Sequence, residues 1–322
     1  MAAMNWINQG SYLYSPELDK EFQKVAQEVC RFRQFVDVKK AFGKNSGESF
    51  NWPKIGNVST MGGTLVETNT MHEADQTISW GTGTVNEMGL AIPYTFKMES
   101  LSQLDVVGQF KEALLDDAKK CIDGMIERKF NSSVLRYVGS STTTYALTTN
   151  GTATAVNTSV LNSYHVRRMR LELEKRNAPT YDGQYVMVCS LEALESLEGA
   201  IESTYQYTES GQKRIANGEV GSLHGVRFVK DSGASRYIYS PTARTYTAKS
   251  WAQNQSLDAY MFGKPTVIEA VTIPESIRVK VPDDYGRSKG IAWYAILGHQ
   301  IMWGDAAADQ ANARIIKWDS AS

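Results

Sequence analysis

A run of regularly spaced apolar residues in the middle of the chain constrains the fold more than any other feature. The run comprises Leu101, Leu104, Val107, Phe110, Leu114, Ala118, Ile122, Met125, Phe130 and Val134. Steps of three to five residues predict one long helix with a single apolar face, over about 101–138. Ser102 and Asp105 supply a capping signal at its start, and Gly139 ends it. Some 36 residues would span about 54 Å at 1.5 Å per residue, so we expect a strut.

A strand leads directly into this helix. Its alternating apolar residues are Leu90, Ile92, Tyr94, Phe96 and Met98. A period of two predicts a half-buried strand. Pro93 has no N–H group to donate to a neighbouring strand, so we expect this strand at the edge of a sheet, where another element or another chain could cover it.

Composition excludes several classes of protein. The chain has 322 residues, of which 42% are hydrophobic and 21% charged, as in ordinary globular proteins. A formal net charge of -1 does not favour a specific nucleic-acid ligand, although it allows passive contact with packaged nucleic acid. Three widely separated cysteines predict no disulfide framework. The start of the chain does not resemble a signal peptide, and no apolar run could span a bilayer, so we expect no membrane partner.

The first 42 residues read as an N-terminal arm. A turn and a short amphipathic stretch follow an extended beginning, which is rich in aromatic residues such as Trp6 and Tyr12. Such an arm needs a surface to lie on, either in its own domain or on another subunit.

Residues 43–89 are rich in Gly, Ser, Thr and Asn, but contain short strand-like runs around Trp52 and Trp80. We interpret them as a long two-stranded loop, and long loops are often functional. The tryptophans either pack internally or anchor a neighbouring subunit, where aromatic residues are enriched. The sequence leaves both alternatives open.

The segment after the long helix mixes helices and strands. Residues 140–157 predict a short hairpin with its turn at Asn150-Gly151, and 158–176 predict a helix buried on two sides. Residues 185–189 are a continuous apolar run and predict a central strand.

Ser190 can cap a helix that runs through Leu197 and stops at Gly199. The polar, glycine-rich segment 205–218, which begins with Tyr205 and Tyr207, is a second candidate contact loop.

Strands dominate the last hundred residues. The predicted strands are 226–229, 237–239, 257–262, 266–273, 277–281, 291–297 and 315–318. The fold class is therefore α+β with segregated elements, and no regular self-similarity suggests a solenoid.

A search for catalytic and ligand-binding motifs gives no convincing site. The four histidines are scattered, and His72 lacks the second histidine of a zinc-protease helix. Gly81-Thr82-Gly83 lacks the third glycine of a dinucleotide fingerprint, and no phosphate-binding loop occurs. Gly221-Ser222-Leu223-His224-Gly225 is better explained as a turn before a strand than as a nucleophile elbow. We therefore expect no catalytic residues, no metal and no cofactor.

The order of elements, together with two short motifs, resembles the major capsid proteins of tailed bacteriophages, which have the Hong Kong 97-type fold. The resemblance covers nearly the whole chain and includes the strand-into-helix unit at 90–138. The motifs are Asp182-Gly183-Gln184-Tyr185-Val186-Met187-Val188 and 218–229, which is similar to the family's Gly-x-Ile-Gly-x-x-x-Gly-Val-x-Val run with Val220 in the isoleucine place.

The resemblance implies a division of the chain into five parts. These are an N-terminal arm at 1–42, an extended loop over a neighbouring subunit at 43–89, a peripheral domain at 90–180 with its spine helix at 101–138, an axial domain at 181–264, and a strand-rich return at 265–322 shared by both domains. It also implies hexamers and pentamers in an icosahedral shell around double-stranded DNA, a virion location, and a separate scaffolding protein and portal. The expected subunit contacts are Trp6, Tyr12, Trp52, Trp80, Tyr205 and Tyr207.

Other classes of protein remain open at this stage. An encapsulin-like compartment shares the fold and would close into shells without phage partners. An unrecognised enzyme would need polar residues to converge, for example Asp283, Asp284 and His299. A phage tail or decoration protein is disfavoured by the long helix.

Overall fold

The structure, a computed structural model, describes residues 31–40, 47–58, 61–68, 70–102, 104–153, 159–205, 221–232, 237–240, 245–248, 258–304 and 306–318. The helices are α1 (Phe96–Leu101), α2 (Val106–Asn131), α3 (Ser163–Lys175) and α4 (Leu191–Tyr205). The strands are β1 (Asp37–Lys40), β2 (Ser49–Val58), β3 (Gln76–Thr84), β4 (Asn86–Thr95), β5 (Leu135–Gly139), β6 (Tyr145–Thr148), β7 (Tyr185–Cys189), β8 (Ser222–Leu223), β9 (Val226–Lys230), β10 (Tyr237–Ser240), β11 (Thr245–Ala248), β12 (Ala259–Phe262), β13 (Val267–Val279), β14 (Ser288–Ile301) and β15 (Ile315–Trp318). The fold is α+β, as the sequence predicts.

The long helix is shorter at both ends than the apolar spacing predicts. Helix α2 has 26 residues, which gives a length of about 39 Å. Asp105 is its N-cap and accepts a hydrogen bond from the Gly108 N–H at 2.9 Å, whereas Ser102 ends the short helix α1. At the other end Ser132 is the C-cap, and strand β5 follows after only two more residues. The apolar spacing continues to Val134 because that residue is also buried, but it packs in the second core with Leu135 and Tyr137 of β5.

The strand before the helix lies at a sheet edge, which confirms the expectation from Pro93. The sheet has the order β1-β13-β14-β4, and Pro93 pairs with Gly290 on β14. Helix α2 packs across one face of this sheet, and the Trp293 indole N–H donates to the Asp117 carboxylate at 2.8 Å. Strand and helix therefore form one rigid unit.

Part of the predicted N-terminal arm is built into this unit. Phe32 and Phe35 are buried in the core beside α2, and β1 pairs in parallel with β13. The Asp123 carboxylate accepts hydrogen bonds from the backbone N–H groups of Arg31 and Arg33 at 3.1 and 2.9 Å. Burial raises the pKa of Asp123, although these hydrogen bonds act in the opposite direction. Residues 31–40 are thus fixed to the domain.

A second sheet forms the other half of the core, with the order β6-β5-β15-β12-β7-β9-β8. Strand β7 lies inside it and all five of its residues are buried, which confirms the predicted central strand. Its side chains alternate between faces. Val186 and Val188 point into the core that contains α2, whereas Met187 points into the core that contains α3 and α4.

Three local predictions need correction. The turn of the β5–β6 hairpin lies at 140–144, not at Asn150-Gly151. Asn150-Gly151 instead follows β6, where the Gly151 N–H donates to the Val134 carbonyl. Ser190 does cap α4, accepting from the Ala193 N–H at 3.3 Å, but the helix continues through Gly199 to Tyr205. The two predicted strands at 266–273 and 277–281 are one bulged strand, β13.

Candidate subunit-contact surface

Strands β2 and β3 form an antiparallel two-stranded hairpin, as predicted for residues 43–89. Their pairing runs from Ser49↔Thr84 to Val58↔Gln76, with an irregularity after Ile55. The hairpin is a sheet of its own, separate from the two large sheets. An isolated two-stranded sheet is at best marginally stable, so its ends need other support.

The base of the hairpin is buried against the four-stranded sheet. Phe50 and Trp52 are 2% and 6% exposed and form a cluster with Ile268 and Ala270 of β13. The Trp52 indole N–H donates to the Met302 carbonyl at 3.4 Å. These contacts hold one end of the hairpin on the domain.

Two glycines make room for these aromatic rings. Gly81 faces Trp52 and Gly83 faces Phe50 across the hairpin. A Cβ atom at either glycine would overlap the opposing ring. The Gly81-Thr82-Gly83 stretch therefore serves packing and not nucleotide binding, and alternating glycines opposite alternating aromatics were the sequence signal for it.

Lys54, next to Trp52 and Pro53 on β2, also fixes the base of the hairpin. The Lys54 ammonium is 5.8 Å from the centres of both the Trp52 and Trp303 rings. It also lies 3.5 Å from a carboxylate oxygen of Asp309. Lys54 is 7% exposed. A cation between two indoles and a carboxylate is well compensated for its burial.

The solvent-facing side of the base, where Trp80 pairs with Pro53, and the hairpin beyond Lys54 expose apolar side chains; we call this surface the outer part of the hairpin. The exposed apolar residues of the hairpin are Ile55, Val58, Met61, Leu65, Val66, Met71, Ile78 and Trp80. Trp80 is 66% exposed and Met61 92%. The stretch 55–84 also contains Glu67, Glu73 and Asp75 but neither lysine nor arginine. Such a concentration of exposed apolar surface is typical of an interaction site. Sequence reasoning singled out only the tryptophans, although methionines and branched residues in so polar a loop carried the same signal.

The six residues expected at subunit contacts have different positions. Trp52 packs inside its own chain, whereas Trp80 is exposed. Tyr205 is the last residue of α4, and its side chain is not described. Trp6, Tyr12 and Tyr207 lie outside the described residues.

The residues proposed for an enzyme do not meet. Asp283 and Asp284 lie in the turn between β13 and β14, while His299 lies near the far end of β14. His299 comes eleven positions after Ser288, the first residue of β14, which corresponds to about 36 Å along a strand. His299 is 4% exposed, and burial together with the charges of Arg33 and Lys129 lowers its pKa to about 3.

The described part of the chain also offers neither a metal-binding cluster nor a membrane-spanning helix. It holds no group of three His, Cys, Asp or Glu side chains that could bind a metal ion. None of the helices described combines the length and the apolar character needed to cross a bilayer.

Comparisons with known proteins agree with this description. A family model described as "Phage capsid protein" matches residues 81–308, more than half of the chain. The capsid of the cyanophage P-SCSP1u has a similar fold, with a TM-score of 0.69, 14% identity, and coverage of 97% of this chain and 94% of that chain. The acid-stable capsid of Helicobacter pylori bacteriophage KHP30 has a TM-score of 0.66 and 12% identity, with coverage of 100% of this chain and 99% of that chain. The capsid of Ralstonia phage GP4 has a TM-score of 0.65 and 13% identity, with coverage of 96% of this chain and 95% of that chain. No curated protein matches the chain by sequence.

Proposed function

Because the chain belongs to the phage capsid protein family, we propose that it builds the icosahedral head shell from hexameric and pentameric rings in which each β2–β3 hairpin covers a neighbouring subunit. It is a shell protein of the virion. Closed rings arise when one surface of a subunit binds a different surface of the next. Many such contacts, each modest, can together hold a shell.

The observation that carries the hairpin's role is the contrast between its two ends. Its base is fixed by Phe50, Trp52 and Lys54, so the hairpin has a defined direction. Its outer part has eight large apolar side chains that the described residues of its own chain leave exposed. Burying an apolar surface gains about 25 cal/mol per Å², so covering this surface in the shell would favour assembly.

The domain division fits this role as a proposal. Residues 1–42 would contribute the arm, of which 31–40 are fixed to the domain through β1, residues 90–180 the peripheral domain around α2, and 181–264 the axial domain. Residues 204–218 would then lie near the ring axis, with Tyr205 and Tyr207 as contacts. Residues 265–322 would link the two domains through β13 and β14, of which β14 pairs with both β13 and β4.

Further partners follow from the same proposal. A separate scaffolding protein would direct curvature during assembly, and a portal would replace one pentamer. Packaged double-stranded DNA would touch the inner surface passively, in agreement with a net charge of -1.

Electron microscopy with sedimentation tests this function. The protein is expressed alone and together with the scaffolding protein of its phage. Rings, tubes or closed shells are expected, with closed shells requiring the scaffold. Cargo-loaded shells that form without a scaffold would favour an encapsulin-like compartment instead. A monomer under every condition would contradict the proposal.

A further inference from the structure

A groove opens on the surface between α3 and the turn that joins β8 to β9. Its residues are distant in sequence from the β2–β3 hairpin. It encloses about 380 Å³, and three arginines within one turn of α3 line it. The lining comprises Tyr164, Arg167, Arg168, Arg170, Leu171 and His224, with Glu174 beside them. We call it the arginine groove.

Two of the three guanidinium groups are held in place. The Arg170 Nε donates to the Glu174 carboxylate at 2.7 Å and its Nη1 donates to the His224 carbonyl at 2.6 Å. His224 presents that carbonyl from a turn with a positive φ of 51°. Arg168 lies over the Tyr164 ring, 5.2 Å from its centre. Arg167 is exposed, and no described residue pairs with it.

The groove therefore carries an excess of positive charge. Glu174 is the carboxylate that lines it, and Arg170 already engages that group. Burial lowers the pKa of His224, as do the nearby charges of Arg167 and Arg170, so the imidazole is neutral at pH 7. Its Nε2 lies 2.8 Å from the Ser163 hydroxyl. Within the described residues, two guanidinium charges in the groove are left without a carboxylate.

We propose that the arginine groove binds carboxylate side chains of the neighbouring copy of this chain in the capsid ring. A guanidinium group is a planar fork of donors that matches a carboxylate in a bidentate arrangement. Arg168, which already lies over the Tyr164 ring, loses less side-chain freedom on binding than a mobile arginine would. This inference rests on the proposed function, because only a ring brings a second copy to the groove.

The chain itself carries a complementary surface. Helix α4, which packs against α3, bears Glu192, Glu195 and Glu198 at spacings of three residues, on one face. Glu195 is exposed, and Lys230 binds Glu198 at 3.1 Å. In a head-to-tail ring, opposite charges on two different surfaces of one chain meet at every interface. Glu195 of the next copy is the carboxylate we assign to the groove.

Nucleic acid is a poorer occupant. A duplex carries a phosphate charge about every 1.7 Å along its axis, so its binding sites extend along a basic stripe. The arginine groove has room for one or two side chains, and Glu172 and Glu174 follow it on the same helix. A local pair of carboxylates fits its size and its charge.

Charge reversal tests the proposal directly. The variant Arg167→Glu/Arg168→Glu is compared with Arg167→Lys/Arg168→Lys, which keeps the charge. We expect both to fold like the wild type by circular dichroism and thermal unfolding. The glutamate variant should need at least about tenfold more protein to assemble, because like charges then meet at each interface. Adding Glu195→Arg to the glutamate variant should restore assembly.

The lysine variant provides an independent measurement. A carbodiimide joins lysine amines to carboxylates in contact, so shells made from mixed isotope-labelled copies should give a link between copies from Lys at 167 or 168 to Glu195. Normal assembly of the glutamate variant would overturn the proposal. So would normal assembly combined with loss of retained DNA, which would assign the groove to nucleic acid. If the wild type itself fails to assemble, the proposed function fails first, and the two failures are thereby distinguished.

Discussion

The indole ring of Trp52 lies against the backbone of Gly81, its partner on the facing strand of the β2–β3 hairpin. The pair fixes the base of a hairpin whose outer part is exposed. A side chain at position 81 would displace the indole from the Ile268 and Ala270 cluster. The hairpin's direction thus depends on a residue that has no side chain.

This relationship predicts the effect of a single methyl group. Gly81→Ala should lower the free energy of unfolding by about 1–3 kcal/mol, as overpacking usually does. Gly63→Ala is the matched control, because its Cβ would meet nothing within 4 Å. Chemical denaturation of the two variants gives the comparison. Equal stability of both would contradict the packing role of Gly81.

The two hairpin tryptophans should behave differently when truncated. Trp52→Ala removes a buried ring and should cost about 3–5 kcal/mol of stability in the monomer. Trp80→Ala, at an exposed position, should change monomer stability by less than about 0.5 kcal/mol. Thermal and chemical unfolding of the unassembled chain measures both.

Trp80→Ala should instead weaken assembly. An exposed indole that becomes buried in a contact is a typical source of binding energy, at about 2 kcal/mol or more. Sedimentation at a series of protein concentrations gives the assembly threshold, with wild-type protein as the reference. A wild-type threshold would remove Trp80 from the contact surface.

His299 predicts a dependence of stability on pH. Its folded pKa of about 3 lies below its ordinary value of 6.5, so the folded chain binds fewer protons than the unfolded chain between these values. The contribution to stability is complete above pH 6.5 and is lost as the pH falls toward 3, by up to about 1.4 kcal/mol per unit. Arg33 binds Glu269 at 2.8 Å, so the Glu269 carboxylate 4.0 Å from His299 offers little compensation.

Replacing His299 isolates this effect. Neither ring nitrogen has a hydrogen-bond partner among the described residues, so His299→Leu leaves no broken hydrogen bond. The variant should lose less stability than the wild type between pH 6.5 and pH 4. His72→Leu, at an exposed hairpin position, is the control and should follow the wild type. Parallel curves for all three would contradict the assignment.

Replacing Arg33 should lower the stability of the fold, and a second substitution at Glu269 should restore part of it. It binds Glu269, which is fully buried, and Glu275 on the same strand. Arg33→Met leaves the Glu269 charge buried without its partner and should cost about 3–5 kcal/mol. Arg33→Met/Glu269→Gln should recover part of that loss. Arg287→Met, whose side chain is 80% exposed, should have almost no effect.

The sequence predicts elements well where local chemistry decides them. Strand β7 is a continuous apolar run with a turn before it, and β15 begins and ends at the predicted residues. Pro93 marks an edge strand because proline lacks the backbone N–H that a second neighbouring strand would need, whatever the rest of the chain does. The β2–β3 hairpin is predictable because side chains alternate between apolar and polar in the two short strands on either side of a polar loop.

The sequence fails where distant contacts decide. Just after the end of α2 the Ser133 hydroxyl donates to the Ile315 carbonyl, 182 residues away, and the apolar spacing does not register that contact. Residues 31–40 look like an arm because their partners, Asp123 and β13, are far along the chain. Trp52 and Trp80 look alike in sequence, and only the pairing with Gly81 places one inside.

The most direct test of the central claim is a cryo-electron microscopy reconstruction of the assembled particles at side-chain resolution. Our account predicts rings in which the outer part of each β2–β3 hairpin, with Trp80, lies on the adjacent subunit and its exposed apolar residues are covered. A shell in which every hairpin lies on its own subunit, or points into solvent, would contradict it.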